Sequence, residues 1–196
     1  DWLEMGLTEM LIRALSQYHS LSVLSTERLS EVFTRFSKNS TPMNLNLPAL
    51  VGKETNVSAV LTGNIVTEDN RLKINLFIKE PNQGRDIKRE SVAGNGLADI
   101  FSMVDELCQK IKQDLQITLT PEGAVRSIEE LTTNSLEAWQ YYSGGVDYLN
   151  QLAFNQAAEQ FEKAIELDST FVMAYIQLFE AYSSMQRMDK SIELYE

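Results

Sequence analysis

Four pairs of bulky side chains in the last third of this 196-residue chain recur at a single interval. Tyr141 and Tyr175, Tyr148 and Tyr182, Phe154 and Met188, and Phe161 and Tyr195 are each 34 residues apart. A fixed period of that length marks a small unit that cannot bury its apolar face alone and stacks on its neighbours. Within the first copy Gly145, Ala157 and Ala164 stand among the large residues. Helices are predicted at about 136–150, 154–167, 171–184 and 188–196, with Ser135 as a candidate cap. Pro121 suits the first position of a helix to Leu131 that would close one end of the stack. Further repeats, self-association or a partner are expected at the other end.

Charge divides the chain at about the same place. Residues 1–120 hold 13 Lys+Arg against 15 Asp+Glu, whereas residues 121–196 hold 4 against 13. Such a step predicts two units, 1–120 and 121–196, with different surfaces. The net charge of −11 argues against binding nucleic-acid phosphates or a polybasic membrane anchor. No apolar run approaches the roughly 20 residues that span a bilayer. One cysteine excludes an internal disulfide and a zinc site of several thiolates, and it fits cytosol or periplasm equally.

The first unit mixes two periodicities. Leu7, Met10, Leu11, Ala14, Leu15 and Tyr18 recur at helical steps over residues 4–18. Leu21–Leu24 reads as a short buried strand. Thr26 is a candidate cap for a helix carrying Leu29, Val32, Phe33 and Phe36, and residues 47–55 read as one further short helix. Leu72, Ile74, Leu76 and Ile78 then alternate with Lys73, Asn75, Phe77 and Lys79, the period of an antiparallel strand with one buried face. Strands are predicted at 58–67, 71–80 and 86–93. A helix from Asn95 or Asp99 to Leu115 follows, then a short strand at 116–119. The fold class is α+β: a mixed sheet with helices, then an all-α repeat array. The opening helix has no strand before it to pair with Leu21–Leu24, so a strand upstream of Asp1 is expected.

Four segments carry a family likeness: GLTEMLIRALSQ from Gly6, LSVLST from Leu21, NVSAVLTGNIVTEDNRLKINLFI from Asn56 and LADIFSMVDELCQKI from Leu97. Together they resemble the TolB amino-terminal-domain-like family, related to the FlgO and CsgG envelope domains. The resemblance covers nearly all of residues 1–120 and implies a non-enzymatic α/β domain joined to other signalling or envelope modules. The order Tyr141, Gly145, Tyr148, Phe154, Ala157, Phe161, Ala164 resembles a tetratricopeptide repeat, departing from it at Ser169 and Phe179.

That second resemblance implies a concave groove lined by Trp139, Tyr142, Val146, Leu149 and Asn150 of the first copy and Met173, Ile176, Glu180 and Ser183 of the second. The groove would take an apolar segment or a helix. The plainer reading is that these side chains pack against the first unit or the 121–131 helix. Taken together the resemblances imply the regulatory or sensor part of a larger bacterial protein, cytoplasmic or in the envelope. Its output domain or membrane span would lie upstream.

Catalytic and ligand patterns are sparse, and no cofactor is implied. Gly94-Asn95-Gly96 lies between strand and helix, where phosphate loops occur, yet the third glycine of a dinucleotide motif is absent. It reads first as a tight turn. As an alternative to scaffolding it would be the edge of a nucleotide or metabolite site. His19 lacks a matched nucleophile, and Cys108 falls on the apolar face of its helix as an inert thiol. Asp105-Glu106 and Glu129-Glu130 are adjacent pairs that diverge on a helix instead of converging on a metal. Asn39-Ser40-Thr41 and Asn56-Val57-Ser58 match the glycosylation pattern by chance. The expectation is a non-catalytic module that binds a protein or peptide.

Overall fold

The computed structural model describes residues 2–38, 47–69, 71–117, 125–187 and 190. Among the described residues it is mixed α+β, with eight α-helices and a three-stranded antiparallel sheet. The chain forms two compact units, Leu11–Val125 and a helical unit of Asp1–Met10 with Arg126–Glu196. Helix α1, Trp2–Ser16, is therefore divided, its first half counted with the helical unit.

In the α/β unit the strands β1 (Val60–Glu68), β2 (Arg71–Lys79) and β3 (Asp86–Gly94) follow in the order β1-β2-β3. The β1/β2 register runs unbroken from Val60 opposite Lys79 to Glu68 opposite Arg71. The alternation in β2 has its expected consequence. Leu72, Ile74, Leu76 and Ile78 are buried, whereas Lys73 on the other face is exposed. Helix α4 (Ile100–Asp114) packs on β3 and buries Ile100, Phe101, Val104, Leu107, Cys108 and Ile111 at three- and four-residue steps. Tyr18, just past α1, is buried; that burial first, and then the neighbouring Cys108 and Asp105 of α4, push its hydroxyl above the usual tyrosine range.

Helices α2 (Thr26–Lys38) and α3 (Leu47–Thr55) complete this unit. α3 lies against β1, and Gly52 comes so close to the 80–84 turn that a Cβ there would fall 2.3 Å from the Pro81 carbonyl oxygen.

Three local expectations are corrected. Leu21–Leu24 is not a strand; it joins no ladder among the described residues, and a short extended segment is not a strand without a neighbour. Thr26 is the first residue of α2 and Ser25 is its cap, the Arg28 N–H donating to Ser25 Oγ at 3.4 Å. Gln116 and Ile117 close α4 instead of starting a strand. Gln116 is left-handed (φ 52°), and the Ile117 N–H returns to the Lys112 carbonyl at 2.9 Å. Thr118 and Leu119 lie outside the described residues.

The helical unit contains α5 (Ile128–Leu131), α6 (Leu136–Asn150), α7 (Phe154–Leu167) and α8 (Val172–Ser184). α5 is shorter than the helix expected over 121–131. Ser127 caps it by accepting from the Glu130 N–H, and residues 125–127 are not helical. Residues 121–124 lie outside the described set, as do 188–196 apart from Lys190, so the expected fourth helix falls there too. Ser135 caps α6 as anticipated, at 3.1 Å from Ala138 N.

α6 and α7 run antiparallel. Gly144 faces Gln160, Gly145 faces Phe161, and the Lys163 ammonium sits 5.5 Å from the Tyr141 ring centre. A Cβ on Gly145 would fall 2.5 Å from Phe161 Cε1, so the bare backbone at 145 is what lets the ring approach α6.

The 34-residue interval is also visible in the backbone. Leu152 and Gln186 are both left-handed, at φ 59° and 58°. Behind them Ala153 N donates to Tyr148 O, and Arg187 N to Tyr182 O, each at 2.9 Å. α6 and α8 thus end in the same six-residue closure at equivalent positions.

Candidate functional site

The residues expected to line a groove separate into two sets. Trp139 and Tyr142 are 0% and 1% exposed, and Met173 is buried as well. Val146, Leu149 and Ser183 are half-buried, Asn150 and Glu180 are exposed, and Ile176 is 58% exposed. Trp139 and Tyr142 form an aromatic cluster with Phe161 and Phe171. Trp139 lies 5.1 Å from Tyr142 and 5.9 Å from Phe171 between ring centres, and Tyr142 lies 5.7 Å from Phe161 and 5.0 Å from Phe171. Tilted and offset rings at these separations attract beyond their buried area.

Trp139 is covered from outside as well. Gly6 of α1 is buried, and a Cβ on it would fall 2.8 Å from Trp139 Nε1 and 2.9 Å from Ser143 Oγ. The part of the face built by Trp139 and Ser143 is thus closed by the chain's own first helix. The part built by α8 stays open, with Ile176 and Val172 (66% exposed) one turn apart. Gly6, Ser143, Phe171 and Val172 were not anticipated as part of this face. Phe171 and Val172 sit directly beside Met173 in sequence, so the apolar run was visible; the role of Gly6 was not.

A polar knot holds the entry to α6 against the exit from α7. Buried Thr133 donates its hydroxyl to Asp168 Oδ2 at 2.5 Å and accepts the Ser135 N–H at 3.0 Å. The Thr170 N–H and hydroxyl both donate to Asp168 Oδ1, at 2.9 and 2.6 Å. These bonds, Thr133's foremost, hold the Asp168 carboxyl below the usual carboxylate range. A depressed folded-state value means the unfolded chain takes up this proton first. The stabilisation is complete above the unfolded-state value and is lost as pH falls through the folded one. Asp168→Asn should lower stability at pH 7 by about 1–2 kcal/mol, the size expected for partly solvated bonds to a charged group, and flatten the acid limb of the stability curve. Urea melts between pH 7 and 3 check this; an acid limb that stays parallel to that of the parent chain would refute it.

At Gly94–Gly96 the Asn95 N–H donates to Asp99 Oδ2 at 2.7 Å, and Asp99 Cβ lies 2.8 Å from where a Cβ on Gly94 would stand. A carboxylate occupies the donor that a phosphate would need. Gly96, at φ 105°, gives the turn a conformation suited to glycine. His19 is exposed just past α1.

Cys108 is buried. Its desolvation, with the nearby Asp105 charge second, pushes the thiol up to about 12. It should be inert to a disulfide reagent at pH 8 in the folded chain and react at the rate of unfolding. Immediate stoichiometric labelling would contradict that assignment.

Among the described residues no group of three or more His, Cys, Asp or Glu side chains is placed to hold a metal ion, and no helix is long and apolar enough to cross a membrane. Glu106, Glu129 and Glu130 are exposed, and so is Asn56; Asn39 lies outside the described residues. Comparison with known protein families, curated proteins and solved structures finds no match to the chain.

Proposed function

We propose that the chain is a non-catalytic protein-interaction module, the regulatory or sensor part of a larger bacterial signalling or envelope protein. An α/β unit of the TolB amino-terminal-like kind is joined to tetratricopeptide-like helical pairs that hold a protein or peptide. The observation that carries this reading is the open apolar face of α8. Val172 and Ile176 are well exposed beside buried Met173, on a helix whose ending repeats that of α6 at the 34-residue interval. An exposed apolar pair one turn apart on a helix can anchor an extended or helical partner.

Val172→Glu with Ile176→Glu should abolish binding of a captured partner and leave stability within about 0.5 kcal/mol, since both side chains are exposed. A partner that binds the double variant and the parent chain equally would defeat this reading. So would nucleotides that raise the melting temperature of both alike, which would transfer the function to a small-ligand sensor.

A further inference from the structure

We propose that the open face of the sheet docks on the outer, acidic stripe of α7 in a second copy of this chain, so that the protein associates head to tail through unlike charges. The contact uses neither the groove face of α6 nor the apolar face of α8, and it stands apart from the binding of a foreign partner.

The strand register builds the first surface. Arg71, Lys73, Asn75, Phe77 and Lys79 lie on the side of β2 away from its buried leucines and isoleucines. Asn64 of β1 stands opposite Asn75, and Arg89 of β3 opposite Phe77. Asn75 Nδ2 donates to Asn64 Oδ1 at 2.8 Å, as side chains sharing one face can. Asn64, Arg71, Lys73 and Arg89 are exposed. The face therefore carries the cations Arg71, Lys73, Lys79 and Arg89. Against them stand Glu68, opposite Arg71, and Asp86, which pairs with both Lys79 and Arg89. Arg71 and Lys73 enter no ion pair among the described residues. The Arg89 and Lys79 cations lie 5.4 and 5.6 Å from the Phe77 ring centre, so the patch has an aromatic anchor as well as charge.

The second surface is complementary. Asn155, Glu159, Glu162 and Glu166 recur at steps of four, three and four along α7, which makes them one stripe. Glu162 is half-buried and accepts from the Tyr182 hydroxyl. Glu159 and Glu166 are exposed and enter no ion pair among the described residues. The one cation of α7, Lys163, sits instead 5.5 Å from the Tyr141 ring centre. With 4 Lys+Arg against 13 Asp+Glu, residues 121–196 hold too few cations to neutralise such a stripe. Cationic sheet and acidic helix attract, whereas two helical halves repel.

The two also match in size. Three strands of nine residues make a face about 14 Å wide and about 30 Å long, room for one helix about 10–12 Å across. Along α7, Glu159 and Glu166 are about 10 Å apart. Along β2, Lys73 and Phe77 with its flanking Arg89 are about 13 Å apart, a difference that long basic side chains absorb. Every copy carries both surfaces, so the complement is always present at the chain's own concentration. Because unlike patches meet, the contact is heterologous and builds rings or open chains instead of a two-fold dimer. One helix on three strands belongs to the small, transient class of interfaces, below about 1,200 Å².

The test is sedimentation of the full chain. Its mass should rise with concentration, and association should weaken about tenfold between about 50 and 500 mM salt. Arg71→Glu with Lys73→Glu should stay monomeric, and so should Glu159→Lys with Glu166→Lys. An equimolar mixture of these two variants should associate again, because each supplies the charge the other lacks. Glu129→Lys with Glu130→Lys makes the same charge change on α5 and should associate like the parent chain. A parent chain that stays monomeric, or that associates without regard to salt, overturns the proposal even if a variant fails to fold. So does either reversed variant associating as well as the parent, or a mixture that remains monomeric. Loss of association in Val172→Glu with Ile176→Glu, while Glu159→Lys with Glu166→Lys keeps it, would move the contact to α8; the proposal then falls and the α8 interaction stands.

Discussion

Phe161→Ala is expected to remove about 3–5 kcal/mol from the stability of the helical unit, the range for emptying a buried aromatic site. Phe161 is fully buried, lies tilted beside Tyr142 and sits against the bare backbone of Gly145. Domains of this size hold only about 5–15 kcal/mol in total, so the loss should be plain in a urea melt followed by tryptophan emission. Gly145→Ala approaches the same contact from the other side. Its methyl group would stand 2.5 Å from the ring and should cost about 1–3 kcal/mol by overpacking. The two changes should not add, because the methyl intrudes on space that Phe161→Ala vacates. A double variant that loses the full sum would show that α6 and α7 are not held apart at this contact.

Ile74→Ala should be the most damaging single truncation in the sheet, at about 2–5 kcal/mol. Ile74 is central in β2 and 1% exposed, opposite Ile65 on one side and Val92 on the other. Phe77 is the control. It is larger but points to the opposite face, half-buried, with the Arg89 and Lys79 cations 5.4 and 5.6 Å from its ring centre. Such cation contacts at a partly solvated site are worth about 0.5–1 kcal/mol, so Phe77→Ala should cost clearly less than Ile74→Ala. Equal losses in denaturant melts would mean that the two faces of the sheet are covered alike.

Much of the architecture was legible because it is local. The alternation from Leu72 to Ile78 is set by the two-residue pleat of a strand, and its burial follows from the charges interleaved with it. The starts of α6 and α7 were readable from Ser135 and from the break at 151–153, since capping and helix closure involve residues only a few positions apart. Where local reading failed, at Leu21–Leu24 and Gln116–Ile117, the segments were too short for composition to decide. A strand exists by virtue of a neighbour, and a helix end by virtue of where its last N–H groups turn.

The candidate site was legible only as a list of residues. The resemblance to a tetratricopeptide repeat implied that Trp139, Tyr142, Met173 and Ile176 share one face, yet Trp139 is closed over and Ile176 is open. Gly6, a residue far away in sequence that no period connects to α6, helps to cover Trp139, whose ring also lies against Tyr142 and Phe171. Sequence alone determined which elements form, which of their faces are apolar and where the charge changes, because each depends on neighbours along the chain. Only the tertiary structure decided which apolar face stays in contact with water, because burial depends on whatever other part of the chain arrives to cover it.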